Sequence, residues 1–289
     1  MEYFGKVFRP PSEASSLIIQ CTIGCSHNQC TFCSMYKEDT FQLRGLEDIL
    51  ADIEEMSRYG YVYRKVFLGD GDALILPMKS LRMILNKINE LFPSLERIGI
   101  YASPKSIATK TTEELKELKN LGLGIVYLGL ESGSEEILKK VKKGSSAEEI
   151  LTLSKRIKDA GITLSVTLIS GLGGKELSKK HATQSAAIVS KMAPDYLGLL
   201  TLMQEPGTEL DREIRGGSFE LLSPEEVLEE TRLFISLVEG KNILFRSNHA
   251  SNYLALGGNL DEDRQKLLEI IDLALGTKKG LRQEAHRAL

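Results

Sequence analysis

Apolar, β-branched runs alternate with amphipathic segments along the whole 289-residue chain. The runs are Leu17 to Cys21, Lys65 to Leu68, Arg97 to Ala102, Ile125 to Leu130, Thr163 to Ile169, Tyr196 to Met203 and Ile243 to Arg246. Most are continuous rather than alternating, the pattern of parallel strands covered on the outer face by helices. The segments between them carry helix punctuation. LEDILADIEEMSRYG sets Leu46, Ile49, Leu50, Ile53 and Met56 on one face and ends at Gly60. TTEELKELKNLG places Thr111 three residues before Glu114, a capping box, and stops at Gly122. SAEEILTLSKRIKDAG opens at Ser145 or Ser146 and stops at Gly161. SPEEVLEETRLFISLVEG combines Ser223 as N-cap, Pro224 at the first helical position, Glu226 completing the box and Gly240 beyond the end.

Strand, helix, strand, repeated about six times, implies right-handed crossovers and a parallel sheet. The expected fold class is α/β, a partial (β/α)6 TIM-like barrel with parallel strands and a short C-terminal extension. A doubly wound open sheet is the rival, and periodicity does not separate the two. Residues 1–250 are expected to form the barrel domain and 251–289 a C-terminal helical extension packed on it. In either architecture chemistry gathers at the carboxyl ends of the strands, where the loops face one opening. Those loops are the cysteine segment, GDGDA (Gly69 to Ala73), SPK (Ser103 to Lys105), ESGS (Glu131 to Ser134), SGLGG (Ser170 to Gly174), QEPGTE (Gln204 to Glu209) and SNHASN (Ser247 to Asn252). Each alone has ordinary turn composition. Together, at successive strand ends, they suggest a small, polar, deep site.

Composition adds exclusions. With 42% hydrophobic and 27% charged residues the chain reads as a soluble globular protein. Its 37 basic against 40 acidic side chains give a net charge of -3, which offers no broad polyanion-binding surface and disfavours nucleic acid as a partner. No apolar run approaches the ~20 residues of a membrane span, and Leu17 to Ile19 is too short for a signal-peptide core. A cytoplasmic location and no membrane partner are therefore expected. The basic tail TKKGLRQEAHRAL is short for an RNA-binding domain and is expected to form a terminal helix.

All four cysteines fall between Cys21 and Cys33. In a reducing compartment such clustering points to metal or redox chemistry rather than a disulfide framework. Cys25, Cys30 and Cys33 offer three soft ligands from one loop. A closed zinc site takes four ligands, usually as two separated knuckles; zinc remains the competing occupant. Cys21 is in phase with Leu17 and Ile19, which fits a buried strand position. Iron–sulfur clusters are held by compact thiolate motifs, and three protein ligands leave one iron open to a small molecule.

The segment TIGCSHNQCTFC resembles the cluster loop of the radical S-adenosylmethionine (SAM) superfamily, whose common form is CxxxCxxC with an aromatic residue before the last cysteine. Phe32 is that aromatic residue, and Thr22 and Gly24 match the TxGC lead-in. The departure is a gap of four residues, Ser26 to Gln29, giving CxxxxCxxC. The resemblance runs from about Leu17 to Met203 and is nearest to the coproporphyrinogen-oxidase-like and methylthiotransferase-like branches. It implies a partial barrel with a 4Fe-4S cluster on Cys25, Cys30 and Cys33.

For SAM it implies Phe32, Gly69, Asp70, Gly71 and Asp72, where members carry a GGEP-like motif, Glu131 and Ser132 beside the ribose or methionyl portion, and Ile169 and Gly171 beside the adenine. Asp70 and Asp72 depart from the motif. The implied activity is that of an oxidoreductase or transferase that cleaves SAM reductively to a 5'-deoxyadenosyl radical for hydrogen abstraction. The cofactor carries the hard chemistry, so no side chain is assigned as catalytic.

Flavodoxin or ferredoxin is the expected electron donor, and the substrate is an unidentified small molecule or modified nucleoside. Tyr36, Arg44, Gln204, Arg246, Asn248 and His249 are its candidate contacts, with Asn252 in the same late polar cluster. His27 is either a cluster-tuning group or an exposed loop residue. With no further cysteine an auxiliary cluster is not expected, and no preceding segment resembles a cobalamin module. A non-catalytic protein that binds the cluster and SAM, or handles a tetrapyrrole, is the alternative.

Overall fold

The computed structural model describes residues 1–288. In chain order the elements are β1 (Leu17–Gln20), β2 (Thr22–Ile23), β3 (Gln42–Leu43), α1 (Leu46–Arg58), β4 (Lys65–Gly69), α2 (Met78–Leu91), β5 (Arg97–Ala102), α3 (Pro104–Ala108), α4 (Thr112–Asn120), β6 (Leu123–Glu131), α5 (Glu135–Lys140), α6 (Ala147–Asp159), β7 (Thr163–Ser170), α7 (Gly174–Met192), β8 (Tyr196–Thr201), α8 (Glu209–Arg215), α9 (Pro224–Leu237), β9 (Leu244–Ser247), β10 (Leu256–Asn259) and α10 (Arg264–Thr277). The fold class is α/β with a mostly parallel sheet of eight strands.

Local chemistry explains the boundaries. Thr111 and Glu114 exchange side-chain and backbone hydrogen bonds at the start of α4, and Ser223 and Glu226 do the same at α9, where Pro224 takes the first position. These boxes satisfy backbone N–H groups that no helical carbonyl can reach. Of the two serines before α6, Ser146 accepts from the Glu149 N–H at 3.0 Å. Gly161, at φ 75°, ends the same segment in the left-handed region that side-chain-bearing residues avoid.

By contact the chain divides into two compact units. The first comprises residues 1–28, 35–128 and 152–164. In it β1, β4, β5 and the start of β6 pair in parallel, in registers such as Leu17 with Val66, Lys65 with Arg97 and Tyr101 with Tyr127. Ile18, Phe67, Ile125 and Tyr127 form one of its cores, with Val7 and Tyr101 against them. Phe67 and Tyr101 meet edge to face at 4.9 Å, the arrangement the ring quadrupoles favour. Fully buried Glu13 is compensated by Arg97 at 2.5 Å and by the Tyr127 hydroxyl.

The second unit comprises residues 29–34, 129–151 and 165 onward. There β7, β8 and β9 pair in parallel, and α7, α9 and α10 pack in succession. Ile137, Val141, Leu172, Leu177, Leu202 and Leu210 make its core.

All seven strands expected from the apolar runs are present. Three short ones are additional. β10 pairs antiparallel with β9, and its LGGN sequence lacks the β-branched residues that mark a strand. β2 and β3 form a two-residue antiparallel ribbon at the base of the cysteine loop. The tail expected as a terminal helix is different: α10 ends at Thr277, and the described residues beyond it form only one 3-10 turn, Glu284–His286. Arg282 donates to the carbonyls of His249, Ala250 and Asn252, and Arg287 to those of Ser251 and Leu202. The basic side chains thus satisfy backbone acceptors of their own unit instead of continuing a helix. No helix of the described residues is long and apolar enough to cross a membrane.

Candidate active site

The four cysteines have two environments. Cys21, just past β1, is fully buried, and its thiol approaches the Ile19 carbonyl at 3.5 Å. Burial pushes that thiol up to about 12, against the opposing pull of Arg44, so at neutral pH it stays a protonated, apolar packing group. Cys25, Cys30 and Cys33 are half-buried. Their donor chemistry, three accessible soft thiols on one loop, suits an iron–sulfur cluster. Among the described residues no group of three or more Cys, His, Asp or Glu is arranged as a metal site.

Cys25 belongs to the first unit. The loop around it is stitched by side chains. Asn28 sits at φ 45°, a region Asn tolerates, and its amide donates to the Tyr36 carbonyl at 2.7 Å and the Asp39 carbonyl at 3.3 Å. Lys37 donates to the Asn28 carbonyl at 2.8 Å. Ser26 donates to Asp72 at 2.5 Å. Within the four-residue gap, Gln29 is the exposed residue. Cys30 and Cys33 belong to the second unit. There the Thr31 N–H reaches the Val141 carbonyl, the Leu210 N–H reaches the Thr31 carbonyl, and Phe32 packs on the core around Ile137 and Leu210.

GDGDA is a brace for the cysteine loop. A Cβ on Gly71 would lie 2.8 Å from the Gly24 carbonyl and 3.0 Å from both Cys25 Cα and the Tyr36 ring. On Gly69 it would meet only ordinary contacts from 3.6 Å outward. Asp72 is fully buried and accepts from the Ser103 N–H at 3.0 Å and its hydroxyl at 2.7 Å, so it ties the loops after β4 and β5 to Ser26.

Asp70 is also buried and accepts from the Tyr36 hydroxyl. Burial raises its carboxyl to about 6, only partly offset by that hydrogen bond. Burial and the neighbouring Asp70 push the Tyr36 phenol far above its usual range. Because Asp70's folded pKa exceeds its ordinary 3.8, the fold holds a proton the unfolded chain releases. Its contribution to stability is full below 3.8 and is lost as pH rises through about 6. Thermal melts across pH 4 to 7 should therefore show a fall in midpoint that Asp70→Asn flattens; an unaltered slope in the variant would count against this assignment.

In the second unit Glu131, at φ 62°, pairs with Lys143 at 2.9 Å. Ser132 is fully buried, with its hydroxyl 2.8 Å from His181 Nδ1. A Cβ on Gly133 would overlap the backbone of Gln184 and Ser185, so ESG packs directly on α7. Gly171, at φ 80°, donates its N–H to Glu230 at 2.7 Å, and Ile169 is partly buried against the Leu172 core. His181 and Glu230 were not singled out by sequence reasoning. The available signal was a glutamate on the buried face of α9, in line with Val227 and Phe234.

The radical SAM superfamily model matches residues 19–183, more than half of the chain. The chain belongs to the radical SAM superfamily. A Methanocaldococcus jannaschii protein named for a methylthiotransferase activity is 24% identical over 252 residues, 84% of this chain and 49% of that protein. The tRNA-2-methylthio-N(6)-dimethylallyladenosine synthase of Clostridium perfringens is 32% identical over 196 residues, 64% of this chain and 38% of that enzyme. The chain thus spans about half or less of these relatives. In structure it resembles coproporphyrinogen III oxidase from Escherichia coli, described as a radical SAM enzyme, at a TM-score of 0.58 and 20% identity over 76% of this chain and 52% of that one. That likeness places the α/β fold among radical SAM partial barrels. A [4Fe-4S] cluster and SAM are the cofactors of the family.

The substrate candidates of this radical SAM protein divide sharply. Tyr36 is engaged with Asp70. Arg44 pairs with Asp52 at 2.6 Å and donates to the Gln20 carbonyl, both groups being largely buried. Gln204 donates to Asp211 at 2.7 Å. Asn252 bridges Thr201 and the Leu199 carbonyl. Arg246 and Asn248 are exposed, and His249 is half-buried with Nδ1 against Ser251. Burial, then nearby Arg282, lowers the His249 pKa, which keeps the ring neutral.

Proposed function

We propose that this protein binds a [4Fe-4S] cluster through Cys25, Cys30 and Cys33 and is a radical SAM enzyme acting on a small-molecule or nucleoside-type substrate. The observation that carries the proposal is the division of the cysteines, with Cys21 sealed in the core and the other three accessible. When bound, the cluster and SAM would supply one-electron cleavage of the C5'–S bond and a 5'-deoxyadenosyl radical for hydrogen abstraction. An external donor such as flavodoxin or ferredoxin would provide the electron.

The chain's own residues hold and orient. Ser26, Asp72 and Ser103 brace the Cys25 side of the loop, while Thr31 and Phe32 anchor the Cys30 and Cys33 side. Phe32, the Gly69 to Asp72 turn, Glu131, Ser132, Ile169 and Gly171 are the proposed surroundings of SAM. Arg246, Asn248 and His249 remain the proposed substrate contacts, since their polar groups are not all committed to the fold. A nucleoside-type substrate is supported by the similarity to the Clostridium perfringens enzyme. Residues 1–250 as the catalytic barrel and 251–289 as its extension belong to the same proposal.

The test is anaerobic reconstitution followed by dithionite and SAM. Iron and sulfide in cluster ratio with 5'-deoxyadenosine as product is the expected result. Zinc alone at the thiols would end the proposal, and SAM binding without 5'-deoxyadenosine under several reductants would replace it with a binding role.

A further inference from the structure

The loops after β6 and β7 are both held by two buried groups that lie outside the strand-end loops themselves. Glu230, on α9 and 4% exposed, lies beyond the matched residues 19–183. It accepts from the Ser170 hydroxyl at 2.6 Å, the Gly171 N–H at 2.7 Å and the Ser178 hydroxyl at 2.6 Å. His181, on α7 and 3% exposed, sets Nδ1 2.8 Å from the Ser132 hydroxyl and bonds the Ile169 backbone. Its Nε2 is 3.9 Å from Glu230. Two sets of bonds therefore meet at the loop after β7: one runs from Ser132 through His181 to Ile169, the other from Glu230 to Ser170 and Gly171, and the two buried groups lie side by side without a hydrogen bond between them.

Helix packing alone does not call for this arrangement. A buried carboxylate is costly, and apolar residues of similar volume usually pack as well or better. Here the carboxylate is spent on one N–H of a residue at φ 80° and on two hydroxyls. Charge-assisted bonds of this kind fix a loop more tightly than neutral ones do. Burial lowers the His181 pKa, so the ring is neutral and can donate from one nitrogen while accepting at the other.

We infer that Glu230 and His181 are positioning residues that fix the Ser132 and Ile169–Gly171 backbone in the geometry that receives the adenosyl half of SAM. The inference rests on the proposed radical SAM site. It assigns no contact between either residue and SAM; both act through the loops.

Equilibrium binding of SAM, 5'-deoxyadenosine and methionine to the anaerobically reconstituted holoprotein tests it. For Glu230→Ala, affinity for SAM and for 5'-deoxyadenosine should fall roughly two- to thirtyfold. Methionine affinity and iron content should be unchanged. Glu230→Gln, whose amide oxygen can still accept from Gly171, should recover part of the loss, and His181→Ala should mimic Glu230→Ala. An unchanged ratio of 5'-deoxyadenosine to methionine affinity in folded Glu230→Ala would overturn the inference, because a merely structural role lowers the melting midpoint without moving that ratio. If Glu230→Ala does not fold, the same ratio in Glu230→Gln decides, with no shift counting against it. A wild-type holoprotein that binds neither SAM nor 5'-deoxyadenosine would instead sink the SAM-site proposal itself, and the inference with it.

Discussion

Cys30→Ala is expected to lose iron on desalting and to form no detectable 5'-deoxyadenosine, while Cys21→Ala keeps both. The contrast follows from access and ionisation. A cluster ligand must become a thiolate within reach of the iron. Cys21 cannot, since burial holds its thiol up to about 12. Removing its sulfur leaves only a small void, for a destabilisation of about 1 kcal/mol. Cys25→Ala and Cys33→Ala should behave as Cys30→Ala does. Iron and sulfide analysis with chromatography of the reaction decides the matter. If Cys21→Ala loses the cluster and Cys25→Ala retains it, the ligand register is displaced by one cysteine and the four-residue gap is not the relevant spacing.

How much of this was legible beforehand depended on the range of the interaction. The seven long strands and the caps at Thr111, Ser146 and Ser223 rest on neighbours within a few residues, so local pattern found them. Burial of Cys21 was also local, since it continues a largely apolar strand whose residues are all buried. The antiparallel β10 was missed because two of its four residues are glycine. Here pairing to β9 overrides weak propensity.

The site residues that sequence passed over act across the chain. Glu230 and Gly171 are 59 positions apart, and Ser132 and His181 are 49 apart. No window of local periodicity contains either pair. For Asp70 and Asp72 the residue types stood out as departures from the family motif, but their partners, Tyr36, Ser26 and Ser103, lie on other loops. The sequence marked the positions, and only the fold supplied the reason for carboxylates there.

Gly71→Ala is expected to cripple cluster assembly where Gly69→Ala, two residues away in the same motif, leaves it intact. The two glycines look equivalent in GDGDA. In the fold they are not. A methyl group at position 71 meets the Gly24 carbonyl at 2.8 Å and the Cys25 Cα at 3.0 Å, both backbone atoms that cannot rotate away. The third obstacle, the Tyr36 ring at 3.0 Å, is pinned by its hydroxyl on Asp70 and by Phe8 edge-on at 5.1 Å. Relief must come from shifting the chain around Cys25, at an overpacking cost of about 1–3 kcal/mol. At position 69 the nearest atom is an Ile18 methyl at 3.6 Å, an ordinary contact. The iron bound per chain after reconstitution, read beside the melting midpoint of the unreconstituted protein, checks both variants. Equal iron retention in the two would show that the cysteine loop does not depend on its close approach to Gly71. Loss confined to Gly71→Ala would tie the placement of Cys25 to the one turn of the motif that has no room for a side chain.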